Sequence, residues 1–312
     1  ESDDTDLDGP VLGFCWFPTQ SRLLCWTATN IYRYDIGSNG KWTKSTNLDA
    51  APGAVTGVTD IKAFTTYVIA ARGASTAYAY STDGDSWTSS VLTGKYANGF
   101  LVAPNTASTA DVLWKFKTPN EIASTTSPIV EWSSVVYVGD TSANITNIFL
   151  INNRLLIGRE DGLFDYDSDG AVHPILPEFR VNKSTANFDY VTDWQAGVYF
   201  SLIRGMGEIT SSYAFEPMGP LQNVGDVGKV GDIVGLASDK DWLYVVIDEG
   251  TNTIIYKGRE TRTKEGVLRW EWCPWVFLST KTCSAAMVFS IGKDQLAGSA
   301  YCCQSAGCPS GG

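Results

Sequence analysis

Leu155 to Asp169 reads LLIGREDGLFDYDSD, two short apolar runs joined across Glu160-Asp161-Gly162. β-branched, leucine and aromatic residues on either side of an Asp-Gly turn are the signature of a β-hairpin. The same outline returns along the chain. First strands begin near Gly13, Asp60, Gly99, Asn147, Asp189, Asp232 and Ser284. Aromatic third strands follow as IYRYD around Tyr34, AYAYS around Tyr80, WKFK around Phe116, LFDYD around Tyr166, SYAF around Phe215 and IIYK around Tyr256. Fourth-strand tryptophans Trp42, Trp87 and Trp132 lie 45 residues apart, and Trp270 follows 138 residues later. Their expected role is packing between adjacent sheets.

Markers sharing a period of about 45 residues indicate repeated four-stranded β units. Apolar residues alternate or run in short blocks between turn residues, and they do not recur at three and four as in helices. The segment from Arg259 to Gly266 is expected to be a loop. The fold class is therefore all-β, a β-propeller. Seven starts predict seven blades with a short last one; six blades plus an extra hairpin is the alternative. Residues 1–10 read as an acidic leader and residues 11–312 as a single propeller domain.

Hydrophobic residues make up 44% of the 312 and charged residues 18%, enough apolar material for a core. The net charge of −11 opposes binding to nucleic-acid phosphates or anionic membranes. No apolar run reaches the length of a spanning helix, so no membrane insertion is expected. Seven cysteines, Cys15, Cys25, Cys273, Cys283, Cys302, Cys303 and Cys308, cluster towards the two ends. They are disulfide candidates for reinforcing closure of a ring, with buried thiols as the alternative. A zinc site is disfavoured by the single histidine, His173, and by the absence of paired CxxC spacing.

Asp-x-Asp-x-Asp-Gly occurs twice, at Asp4, Asp6 and Asp8 and at Asp165, Asp167 and Asp169. Carboxylates at every second position followed by glycine can wrap calcium, the one cofactor the sequence suggests. Neither copy has the acidic twelfth residue of a full loop, since Cys15 and Leu176 stand there. The competing reading of the second copy is a strand with a polar face, ended by an Asp-Gly turn. Asn144-Ile145-Thr146 and Asn182-Lys183-Ser184 fit the N-glycosylation pattern. Catalytic motifs are thin. His173 has no nucleophile elbow near it, and its neighbour Pro174 suggests a turn. Glycosidase chemistry needs two carboxylates in one pocket, for which Asp60, Asp189, Asp193 and Asp232 are candidates by their place near inner strand ends.

Tyr80-Ser81-Thr82-Asp83-Gly84-Asp85-Ser86-Trp87 resembles the Asp-box hairpin of sialidase-like propellers, one residue shorter than the usual spacing. The resemblance implies a structural turn remote from catalysis. More broadly, the LLIGREDGLFDYD blade and the later TNTIIYKGRE and LRWEWCPW segments resemble propeller-containing structural proteins of tailed bacteriophages. This implies a noncatalytic assembly or host-surface-binding role on a virion or other extracellular particle. Its partners would be other virion or assembly proteins, or a cell-surface glycan. A secreted carbohydrate-active enzyme using inner-face carboxylates is the alternative.

Overall fold

A computed structural model describes residues 7–9, 11–35, 42–104, 110–167, 169–177, 191–195, 197–201, 205–212, 214–218, 232–248, 252–262, 264–266, 268–279, 283–289 and 298–303. The chain divides into two compact units, Glu1–Phe188 and Asp189–Gly312. Each is built from antiparallel four-stranded sheets in sequential strand order, the arrangement of propeller blades. Among the described residues no helix is long and apolar enough to cross a membrane.

The first unit holds four blades. Blade 1 comprises Gly13–Phe17, Arg22–Trp26, Ile31–Asp35 and Trp42–Lys44. Blade 2 comprises Asp60–Phe64, Tyr67–Ala71, Ala79–Ser81 and Ser86–Ser89, and its outer strand pairs in parallel with Asn47–Leu48. Blade 3 comprises Gly99–Ala103, Val112–Lys117, Glu121–Thr125 and Val136–Tyr137. Blade 4 comprises Ile145–Ile151, Arg154–Arg159, Gly162–Tyr166 and Val172–Leu176. The opening stretch is thus the middle hairpin of blade 4, with Leu155 opposite Tyr166 and Arg159 opposite Gly162.

Blade 2 turns one face to blade 1 and the other to blade 3, and a single strand shows this directly. Val68 and Ala70 join Phe17, Leu24, Trp26 and Trp87 in the core between blades 1 and 2. Ile69 and Ala71, from the same strand, join Phe100 and Leu113 between blades 2 and 3. A strand buried on both faces needs apolar residues at every position, so Tyr67–Ala71 reads as a continuous hydrophobic run. Phe116, Ile122, Ile148 and Ile157 fill the next gap.

The second unit holds blade 5 (Val191–Trp194, Gly197–Ser201, Met206–Thr210, Phe215–Met218) and blade 6 (Asp232–Ser238, Leu243–Asp248, Asn252–Arg262, Leu268–Ser279). Trp194, Tyr199, Leu243, Val245 and Ile247 pack between them. Cys283–Phe289 and Gly298–Cys303 then form a two-stranded hairpin, with Cys283–Phe289 lying beside the first two strands of blade 6.

Six four-stranded blades and a hairpin are therefore present among the described residues, so the expected count of seven gives way to the six-blade alternative. All seven expected starts exist within two residues, but the seventh stays a hairpin. Two third-strand assignments are corrected. Phe116 lies in the second strand of blade 3, and Phe215 in the fourth strand of blade 5. Trp132 is in no strand; it stacks on Phe100 and meets Tyr78 edge-on. The third strand of blade 6 runs on to Arg262, so the expected loop contracts to the residues around Lys264 to Gly266.

Candidate functional site

The expected cation loop at Asp165, Asp167 and Asp169 does not converge. Asp165 is buried in the third strand of blade 4 and takes a two-pronged interaction from Arg154, whose Nε donates at 2.6 Å. Asp167 caps the following turn, accepting from the amides of Asp169 at 2.9 Å and Ala171 at 2.8 Å. Its second oxygen lies 3.0 Å from His173 Nε2. Those amide bonds, with the imidazole, hold the Asp167 carboxyl below the usual range despite an opposing desolvation. Asp169 is exposed. Among the described residues no group of three or more His, Cys, Asp or Glu side chains is placed to hold a metal. His173 and Pro174 belong to the outer strand of blade 4, not to a turn.

Of the first acidic copy, Asp4 and Asp6 lie outside the described residues. Asp8 accepts from Thr27 Oγ1 at 2.7 Å and from Asn30 Nδ2, pinning the lead-in of blade 1 to its own loop between strands 2 and 3. The same latch recurs. Asn98 Oδ1 accepts from the Thr118 amide at 2.8 Å in blade 3, and Asn144 donates to Glu160 Oε2 at 2.9 and 3.0 Å in blade 4. In blade 2, Arg72 Nε donates to the Thr56 carbonyl at 2.9 Å. Asn144, an expected glycosylation acceptor, is therefore engaged within its blade; Asn182 lies outside the described residues.

The inner-strand carboxylates do not assemble into a pair among the described side chains. Asp60 is buried; its Oδ2 accepts from the Phe100 amide at 2.7 Å and its Oδ1 lies 3.2 Å from Lys62 Nζ. It stitches blade 2 to blade 3. Asp193 is exposed, Asp189 lies outside the described residues, and Asp232 opens blade 6 with only its backbone described. The cysteines form no disulfide among those described: Cys15, Cys25 and Cys273 are thiols. Cys15 and Cys25 are offset by one residue in the pairing of their two strands, which sets their side chains on different rungs. Cys283, Cys302 and Cys303 are described in backbone only, and Cys308 lies outside.

The turn between Ser81 and Trp87 is closed by its own side chains. Asp83 Oδ1 accepts from Ser81 Oγ and from the amides of Asp85 and Ser86 at 2.8 to 2.9 Å, and Gly84 adopts φ +76°. Trp87 is 1% exposed and donates to Ser45 Oγ at 3.3 Å.

A different surface collects groups suited to binding. On blade 6, the turn at Asp239 is organised by its carboxylate, which accepts from the amides of Asp241 and Trp242 at 2.7 Å and from Tyr244 Oη at 2.8 Å. Burial pushes the Tyr244 phenol up, and its bond to Asp239 pushes it further. Lys257 Nζ lies 4.7 Å and Arg259 Cζ 4.6 Å from the Trp242 ring centroid. Trp275 packs against Tyr244 with ring centroids 5.2 Å apart and is 40% exposed. The third and fourth strands of blade 6 outrun the second, whose last rung pairs Leu243 with Gly258, so residues 259–262 project as a ribbon beside this turn. Sequence reasoning passed over this group, although its signal was present: Lys257 and Arg259 at strand spacing two share a face.

No protein-family model matches the chain, and no curated protein matches it. Solved structures do. YCF48 from Cyanidioschyzon merolae is similar with a TM-score of 0.61 at 12% identity, over 96% of this chain and 94% of that one. The computationally designed Ika8 protein is similar with a TM-score of 0.53 at 12% identity, over 91% and 78%. The extracellular domain of BT4673 from B. thetaiotaomicron has a TM-score of 0.54 at 13% identity; 75% of this chain is covered but only 32% of that one, so this chain spans about a third of its length. At such identities the likeness is one of fold, and the fold is an all-β β-propeller.

Proposed function

We propose that this propeller is a noncatalytic binding module, a structural or host-surface-attachment component of a virus particle or other extracellular assembly. The observation that carries this reading is the fate of Asp60. Of the two inner-strand candidates whose side chains are described, Asp60 is the buried one; it holds two blades together through the Phe100 amide and Lys62, and so is committed to structure. Every other buried charge with described partners also serves packing. Arg159 is clamped by Asp161 at 2.9 and 3.1 Å, Asp165 by Arg154, and Lys115 Nζ sits 4.4 Å over the Trp132 ring. The exposed aromatic and cationic face of blade 6 supports a recognition role, and the sequence resemblance to phage propellers supports its setting.

A glycan array run beside a broad glycosidase screen tests this reading. Binding to a cell-surface glycan or to an assembly partner, without turnover, is expected. Hydrolysis of a glycoside that disappears on replacing Asp193 or Asp232 with Asn would overturn it in favour of a carbohydrate-active enzyme.

A further inference from the structure

We propose that residues 126–135 form a pH-linked strap across the joint of blades 2 and 3, one that closes more firmly over Lys115 when its amine is neutral and loosens when the amine takes up a proton. The inference is independent of the attachment reading and concerns the first unit alone.

The strap joins the third strand of blade 3 to the fourth and belongs to neither. It is fastened to blade 3 near its ends, where the Ser127 amide donates to Thr125 Oγ1 at 2.8 Å and the Ser133 amide to the Ser124 carbonyl at 2.9 Å. Between these points it reaches across to Tyr78 of blade 2, whose Oη donates to the Pro128 carbonyl and accepts from Trp132 Nε1 at 3.0 Å. Beneath the Trp132 ring, 4.4 Å from its centroid, lies Lys115 Nζ.

Lys115 shares a strand face with Leu113, which packs between blades 2 and 3. It is 4% exposed, and its amine donates to the Gly94 carbonyl and lies 3.5 Å from that of Tyr96. Gly94 adopts φ +77°, and a Cβ there would stand 3.3 Å from Nζ, so this wall is closely fitted to the amine. Trp132 and residues 94–96 thus enclose the group, and lifting the strap returns it to water.

The charges around it come from every neighbouring element. Lys117 and Glu121, in its own sheet, pair with each other at 2.7 Å. Across the ladder stands Phe100, whose amide is taken by Asp60, itself paired with Lys62. The link from blade 2 brings Lys95, 5.9 Å from the Tyr96 ring centroid, and the strap brings the exposed Glu131. Tyr78, Tyr80 and Tyr96 supply phenols. Burial pulls the Lys115 amine down from its ordinary 10.5 to about 8; Glu121 opposes the shift and Lys117 adds to it. The indole face and the carbonyls offset part of the cost of burying the cation, and desolvation still wins. Between about pH 8 and 10.5 the open strap therefore binds more protons than the closed one. Rising pH favours closure across that window, and this gain is lost as pH falls through about 8.

The test is exchange of the Trp132 indole N–H with water, followed by NMR on the full chain and divided by the rate for free indole at the same pH. Protection should rise by about tenfold between about pH 6.5 and about pH 9.5. K115M, which keeps the length of the side chain and removes the charge, should show no such rise; melting curves check that it folds. A second measurement stands without that variant. In lysine-labelled protein the Lys115 resonance should titrate near 8 in the wild type and about one unit or more higher in W132A, where the cover is gone. Protection that falls with pH, or that rises equally in K115M, would overturn the proposal. So would a Lys115 midpoint at its ordinary value, or one that W132A leaves unmoved.

Discussion

Gly139 shows how one residue can carry the junction between two blades. It adopts φ +64° immediately before Asp140, and a Cβ there would overlap Nη1 of Arg159. Arg159 is wholly buried, donates to the Val138 carbonyl, reaches Asp140 at 3.5 Å and is held by both oxygens of Asp161. Gly139→Ala should destabilise by about 2 kcal/mol or more, since left-handed backbone costs alanine about 1 kcal/mol and the guanidinium must also shift. Chemical denaturation against wild type measures it; an unchanged midpoint would contradict the packing described. Asp8 offers a pH test. Burial pushes its carboxyl up, but hydrogen bonds from Thr27, Thr29, Tyr32 and Asn30 outweigh that and hold it at about 2, below its ordinary 3.8. The folded value lies below the unfolded one, so this contribution is intact above about pH 4 and is lost as pH falls towards 2. Asp8→Asn should flatten part of the acid limb of melting temperature against pH, and identical acid limbs would remove the role assigned to Asp8. The Asp-x-Asp-x-Asp pattern in blade 4 was legible as acidic, but not in its use. Whether a strand carboxylate meets a cation or an arginine depends on the cross-strand neighbour. The pairing of Asp165 with Leu156 and the diagonal reach of Arg154 are properties of register, which the motif does not encode.

At the scale of the element, the third-to-fourth-strand hairpin of blade 2 was read correctly because its turn chemistry is local. Ser81, Asp83 and Gly84 satisfy one another within four residues, and Trp87 drops into the core beneath. Asp83→Ala removes three hydrogen bonds to a carboxylate and should cost about 2 kcal/mol. Trp87→Ala, which empties a large buried site, should cost about 3–5 kcal/mol. Thermal melts should rank the two in that order, and the reverse ranking would mean the turn and not the indole anchors the hairpin. Strand starts were equally legible, with Gly13, Asp60, Gly99 and Asp232 falling on the observed first residues. The third strands were not uniformly so. Phe116 and Phe215 carry the aromatic alternation used as a marker, yet blade 3 opens with the five residues Gly99–Ala103 and then the long link to Val112, which delays its second strand to where a third was expected. Aromatic alternation identifies a strand and does not count it.

For the whole molecule, the period was visible and the terminal count was not. Ser284 begins a run resembling the other first strands, but what completes a blade is pairing with strands beyond, and Cys283–Phe289 finds only Gly298–Cys303 among the described residues. The clustering of cysteines towards the termini suggested cross-linking; Cys15 and Cys25 instead contribute buried thiols, and Cys15 belongs to the core between blades 1 and 2. The acidic balance has its own consequence. With a net charge of −11 the folded chain repels itself, and moderate salt should screen that repulsion. Melting temperature should therefore rise between about 0.01 and 0.15 M sodium chloride, a range over which the screening length shortens from about 30 to about 8 Å. A fall across that range would show that ion pairs such as Lys117 with Glu121 at 2.7 Å outweigh the net repulsion.

The latches at Asp8, Asn98 and Asn144 also bear on how such a chain can be recombined. Each ties the residues ahead of a first strand to the far loop of the same blade. A transferable module therefore starts upstream of its first strand, and a graft cut at Gly99 or Ile145 would leave its own fastening behind in the donor. Cutting ahead of Asn98 or Asn144 carries fastening and sheet together, which makes those two joints the natural seams for shuffling blades between propellers.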